Sequence, residues 1–496
     1  MKRQVGRSFL ALLITAICVL RPLVGLAEVK DNDSDLVVLT LADALRIGMS
    51  ENPTVKVADK EVEKKRYAHK GAYAVLFPQL NFGADYSRTL KKQVMYMDGA
   101  FDMTAMMMPT FNGIDKTFQG VSPGYQEGTL LQNIKEATPV VEDSGNEGIS
   151  VGRDNNWSFG FTGGMPLVNV ALWKSLSITA ADVELAVEQA RSSRIELANQ
   201  VKRAFYGVML AKDSYKVLKE SLDHAKANYD DVVRKYEQGL VAEYDKIRAD
   251  VAVRNVEPNV LQAENAVVLA KWQLKVLLGL ELELKVECQG QLTDYEEGLF
   301  EGCLLAVDTS MENNSSLRQL DKQGKMLRRT LSMQKADFLP TLALSGAYNW
   351  SAMNNDFKFK DYLWNPFSTV AVSLSFPLFQ GGGRVQKLRQ TRISVQQLEI
   401  QRINLVRNLA LAIKQYKDNM ETCVKRYQAA QHGVEQAEKG RVIARKRYET
   451  GAGALLELND AELALTQAKL NFNQAIYDFV VTQAELEKTR GVLSDL

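Results

Sequence analysis

Two carboxylates, Glu457 and Asp460, stand three residues apart just after Gly451-Ala452-Gly453, where a helix is due to start. That spacing puts both on nearly one helix face, at the end where the helix dipole favours negative charge. Capping a helix start is also the ordinary structural use of such carboxylates. Cys288 and Cys303 lie in one connecting segment. In an oxidising compartment they are open to a disulfide or to burial as two separate thiols. Cys423 falls in a helical run and reads as a small buried apolar group. Met95, Met97, Met103, Met106, Met107 and Met108 crowd one segment. Thioethers bind soft cuprous ions, but the glycine, asparagine and serine around them read as a long loop. His69, His224 and His432 have no metal spacing and read as surface residues. Nothing pairs as nucleophile and base, and Gly381-Gly382-Gly383, with Pro377 before it, marks a strand-to-helix bend instead of a phosphate loop. No catalytic, cofactor-binding or firm metal site is therefore expected.

The elements that must position these residues are mostly long helices. Residues 170–238 and 384–450 lack proline and are rich in Ala, Leu, Gln, Glu, Lys and Arg. At ~1.5 Å per residue each spans about 100 Å. Gly239 and Gly451 fit the position after a helix end that needs positive φ. Returning helices are expected over 242–280 and 454–490, with Pro258 kinking or breaking the first. Shorter helices, about 41–77 and 303–338, precede strands. The long helices are crowded with alanine, as in Ala180, Ala181, Ala186 and Ala190, which allows close approach to neighbours on two sides.

The same unit occurs twice. Pro78 matches Pro340, an offset of 262 (340 − 78); Pro166 matches Pro377 and Gly239 matches Gly451, offsets of 211 and 212 (377 − 166; 451 − 239). The first copy therefore carries about 50 extra residues within 88–156. Each copy has two strands with a two-residue period. Leu80, Phe82, Ala84 and Tyr86 alternate with Asn81, Gly83, Asp85 and Ser87, and Val370, Val372, Leu374 and Phe376 alternate with small or polar residues. Trp157 to Met165 and Leu342 to Trp350 alternate likewise. One face is apolar or aromatic and the other small and polar, the signature of a barrel wall between lipid and water.

Lys2, Arg3 and Arg7, an apolar run from Leu10 to Leu20, and Gly25-Leu26-Ala27 before Glu28 make a cleaved secretory signal. Ile17 before Cys18 argues against lipidation. The full chain has 61 basic and 60 acidic residues, net +1; losing Lys2, Arg3, Arg7 and Arg21 leaves −3 (1 − 4). Nothing in that balance suggests nucleic acid. Four membrane strands cannot close a barrel, because open edges are not tolerated in lipid. Several chains must contribute, and strand arithmetic leaves three or four copies.

Ser375-Phe376-Pro377-Leu378-Phe379-Gln380-Gly381-Gly382, Arg447-Tyr448-Glu449-Thr450-Gly451, Leu455 to Ala461, and Leu41-Ala42-Asp43-Ala44-Leu45 with Glu51-Asn52-Pro53 resemble the TolC family of outer-membrane channel proteins. The resemblance covers about 36–492. It implies an α+β membrane protein: a homotrimer with a 12-stranded β-barrel, four strands per chain, continued by a long α-helical barrel in the periplasm. It implies partners, a periplasmic adaptor and an inner-membrane pump of RND or ABC type, besides outer-membrane lipid. It implies no cofactor and no catalysis. By matched motif it places Tyr448, Glu457, Asp460 and Asp245 at the periplasmic entrance. Glu457 and Asp460 then form carboxylate rings, and Asp245 takes a latch position. The family's latch arginine falls on Gly453, so a Tyr448–Asp245 hydrogen bond is the remaining latch expected.

The expected organisation is a signal peptide 1–27; a first repeat 28–280 with loop 88–156 and a helical tip near 239–245; a linker 281–305; and a second repeat 306–496 with a tip near 451–460. The function expected is a passive outer-membrane duct for tripartite efflux or type I secretion. A non-conducting periplasm-spanning tether with a barrel anchor is the alternative.

Overall fold

The structure is a computed structural model that describes residues 37–95, 103–121, 126, 128, 132–133, 136, 149–295 and 310–492. The signal segment 1–27 and Cys303 lie outside the described residues.

In chain order the elements are β1 (Val37–Leu39), α1 (Leu41–Glu51), α2 (Pro53–Ala72), β2 (Gln79–Arg88), β3 (Gln93–Met95), α3 (Met103–Val121), β4 (Ile149–Val151), β5 (Asn155–Val168), α4 (Val170–Glu237), α5 (Glu243–Leu278), β6 (Val286–Cys288), α6 (Ser315–Ala336), β7 (Thr341–Asn354), β8 (Asn365–Ser375), α7 (Gly383–Glu449) and α8 (Leu455–Arg490). The chain forms two compact units. One gathers residues up to 65 with 182–324 and 396–496; the other gathers 66–181 and 325–395.

The second unit holds an antiparallel sheet in the order β2-β5-β7-β8. The extra residues of the first copy are not one irregular loop, because they contain the β3–β4 ladder and helix α3.

The first unit is helical and built around Val201, Phe205, Met209, Leu274, Leu278, Ile476 and Phe479, all buried. A short parallel ladder, β1 on β6, closes on the same core. The helix expected over 41–77 is two helices, because Asn52 leaves the helix before Pro53, as residues preceding proline do. The side chain of Asn52 donates to the Leu277 carbonyl at 2.7 Å, beside Gly279 with φ 70°. Asn314 repeats this, donating to the Thr489 carbonyl at 2.6 Å beside Gly491 with φ 72°. The offsets, 262 (314 − 52) and 212 (491 − 279), equal those of the sequence landmarks.

Helix α5 runs unbroken through Pro258, so of the kink or break expected there the break does not occur. Pro258 is exposed, so the carbonyl it leaves without an N–H donor is accessible to water.

Candidate functional site: the membrane sheet and the helix tips

The register of the sheet aligns the alternating faces across all four strands. Phe82, Phe161, Tyr348 and Ser368 form one row; Ala84, Phe159, Trp350 and Pro366 form the next; Tyr86, Trp157 and Ala352 follow. Rings pack along these rows, with centroids 5.2 Å apart for Phe82–Phe161, 5.1 Å for Phe159–Trp350 and 4.4 Å for Tyr86–Trp157. The opposite face reads Asn81, Thr162, Ala347 and Thr369 in one row, and Asp85, Ser158, Ser351 and Asn365 in another. β2 and β8 are the edges of the sheet, and every residue of both is exposed. Pro377, Gly381 and Gly382 lie between β8 and α7. Gly381 and Gly382 take φ of 60° and 77°, and the Pro377 carbonyl accepts a hydrogen bond from Arg384.

The tips of the two long hairpins belong to the other unit. Gly239 and Gly451, with φ of 74° and 76°, end α4 and α7. Leu240 N bonds Lys235 O and Ala452 N bonds Arg447 O, the six-to-one bond of a Schellman end that only an αL residue permits. Val232, Ala249 and Leu455, from α4, α5 and α8, are buried together, with Tyr229, Val241 and Tyr448 packed on them. Leu455 and Leu458 face inward while Glu457 and Asp460 are exposed.

The structure does not form the expected Tyr448–Asp245 hydrogen bond. The Tyr448 hydroxyl is buried and has no partner among the described residues. Its ring carries the Lys235 ammonium at 4.3 Å, and Asp231 holds that ammonium at 2.8 Å. Burial pushes the Tyr448 hydroxyl up, the Lys235 charge opposes this, and the Asp231 and Asp245 charges add to the rise. For Lys235, burial works against the charge. The Asp231 hydrogen bond and the charges of Asp231 and Glu449 outweigh it, so its pKa rises. A cation over a neutral ring is thus the state at neutral pH. Asp245 sits in the first turn of α5, its amide bonded to Ala242 O.

Glu457 is paired after all, by an arginine that sequence matching did not single out. Arg447 reaches it at 3.0 Å and donates to the Ala452 carbonyl at 3.3 Å. Gly453 has a steric reason: a Cβ there would lie 2.9 Å from Arg447 Cβ. Two of the histidines, both half-buried, have side-chain partners. His224 Nε2 stands 3.1 Å from Arg441, and His69 Nδ1 stands 2.7 Å from the Thr179 hydroxyl. Cys288 is a buried free thiol, pushed up to about 11 by desolvation. Cys423 is likewise buried and free.

A four-stranded sheet with one aromatic and one polar face, together with long helical hairpins, is the architecture of a membrane-anchored helical protein. A family model described as outer membrane efflux protein matches residues 135–280 and 306–492, and the chain belongs to that family. It is 22% identical over 331 residues to the outer membrane protein TolC of Vibrio cholerae serotype O1, covering 65% of this chain and 74% of that one. It is 22% identical over 331 residues to the alkaline protease secretion protein AprF of Pseudomonas aeruginosa, covering 66% and 68%. The Campylobacter jejuni CmeC outer membrane channel has the same fold, with a TM-score of 0.67 at 16% identity over 91% of this chain and 85% of that one. The protein is thus an outer-membrane channel protein of the efflux family.

Proposed function

We propose that three copies of this chain close a 12-stranded barrel and a continuous helical tunnel, a passive duct for tripartite efflux or type I secretion. One observation carries the reading: a four-stranded sheet with an apolar face and both edges unpaired among the described residues. Lipid offers no partner for edge N–H and C=O groups, so β8 of one copy must meet β2 of the next. Two copies would give eight strands, whose interior side chains fill; twelve leave a lumen. The two repeats, 28–280 and 306–496 joined by 281–305, supply the strands and hairpins in pairs, and the twice-built Asn–Gly clasp supports that division.

The duct opens at its periplasmic helix tips when adaptor and pump dock, and the pump supplies the energy. Among the described residues no side-chain constellation calls for catalysis or a cofactor. Tyr448, Asp245, Glu457 and Asp460 belong to the entrance. Lys235, set across Tyr448 from the neighbouring hairpin, takes over the holding role that Gly453 cannot supply.

Conductance of the purified protein in planar bilayers tests the reading. Discrete channel currents are expected, rare in the wild type and frequent in tip variants. A protein that inserts and never conducts, in wild-type and tip-variant forms alike, would be the structural tether instead.

A further inference from the structure

The apolar face of the sheet is not evenly covered. Leu80, Gly163, Gly346 and Val370 form one row across the four strands, so its two central positions have no side chain. Phe161 and Tyr348 stand in the row toward the loops; Met165 and Leu344 stand in the row toward the helices. Between them lies a hollow of about 620 Å³, within the roughly 300–1,000 Å³ typical of ligand sites. Its lining is mostly apolar side chains and glycine; Gln79, Ser345, Ser368 and Thr369 are the polar members, and none of the lining residues is charged.

Depth says what can fill it. Gly346 is five residues (346 − 341) from the helix-side end of β7. At ~3.3 Å per residue and a tilt near 45°, that is about 12 Å along the membrane normal, inside a hydrocarbon core about 30 Å thick. The hollow therefore opens in the half of the membrane nearer the periplasm. Exposed Phe77, Val168, Leu339, Phe376 and Leu378 extend the apolar surface at the strand–helix junctions. Gly163 and Gly346 lie on the central strands β5 and β7, away from the edges where another copy would pair.

We propose that this hollow seats one acyl chain of a phospholipid of the periplasmic leaflet, holding a lipid at a fixed place on the barrel instead of only an exchanging shell. The proposal rests on the barrel reading above. Gly346 is the position that tests it. A Cβ there would meet Thr369 O at 3.6 Å, an ordinary contact, whereas one at Gly163 would meet Gln79 O at 3.3 Å. Gly346→Leu therefore fills the hollow from its floor without backbone collision.

The full-length protein is reconstituted in liposomes containing phosphatidylethanolamine with a photoreactive diazirine in its acyl chain, and labelled residues are mapped by mass spectrometry. Label is expected to concentrate on Leu80, Phe161, Met165, Leu344 and Val370. It should fall about fivefold in Gly346→Leu while Leu374, exposed on the same face, keeps its label. Even labelling along the face, unchanged by the substitution, would overturn the seat and leave the barrel reading standing. Label on Asn81, Thr162 and Thr369 would overturn the barrel orientation and the seat with it. Should Gly346→Leu fail to insert, Val370→Ala, at a rim position 81% exposed, must lower the label on Phe161 and Leu344; no change there also overturns the seat.

Discussion

At the scale of single residues, the tip is held by contacts that differ from those the matched motif implies. Lys235 lies over the Tyr448 ring from another hairpin, while Asp245 makes no bond to Tyr448. A cation–π contact of this exposure is worth about 1 kcal/mol, roughly fivefold in a closed-to-open ratio. Lys235→Met is therefore expected to raise open probability in planar bilayers by about that factor. Asp245→Asn should change it little, and Tyr448→Phe, which keeps the ring and removes an unpartnered hydroxyl, should not open the channel. A larger opening from Asp245→Asn than from Lys235→Met would refute the assignment. Gly491 is a second residue whose role is steric. Its φ is 72°, and an added Cβ would lie 1.9 Å from the Asn313 carbonyl oxygen. Gly381 has φ 60° with nothing within 4 Å of an added Cβ. Thermal unfolding should separate them: Gly491→Ala costs strain plus collision, about 3 kcal/mol or more, and Gly381→Ala only the strain, about 1 kcal/mol.

Elements explain what could and could not be read from the chain. The four sheet strands and the long helices carry strong periods, and Gly239 and Gly451 mark ends that only glycine satisfies, so these were legible. β1 and β6 are three residues each and pair across most of the first repeat; so short a run has no period to detect. Asn52 and Asn314 act on helix ends far away in sequence, and Lys235 and Arg447 act between helices or across a turn, so no local pattern announces them. Pro258 was legible as a helix disturber, and of the kink or break expected there the break does not occur. Its helix persists because the donor it lacks serves an exposed turn of α5. Pro258→Ala is accordingly expected to leave the helix in place and stabilise it, by up to about 3 kcal/mol of helix propensity. Circular dichroism melting checks this; a lower melting temperature would mean that the proline geometry itself is required.

The proposed trimer adds what one chain lacks, a symmetry axis. Glu457 and Asp460 are exposed on α8, and three copies would bring six carboxylates to one opening. Like charges so gathered repel, and a divalent cation with its oxygen preference relieves them. Arg447 works against that. At 3.0 Å it neutralises Glu457 in each copy, although the pair is about half exposed (53% and 46%) and so contributes only ~0.2–1 kcal/mol. Two opposite effects follow from one arrangement. Glu457→Gln with Asp460→Asn should abolish block of single-channel current by Mg²⁺ added from the periplasmic side. Arg447→Gln should strengthen the block about two- to fivefold, by releasing Glu457, and should do nothing in the doubly neutralised background. Block unchanged in the double variant would remove the rings from the entrance. Block lost there but untouched by Arg447→Gln would keep the rings and assign the arginine to bracing the turn through the Ala452 carbonyl.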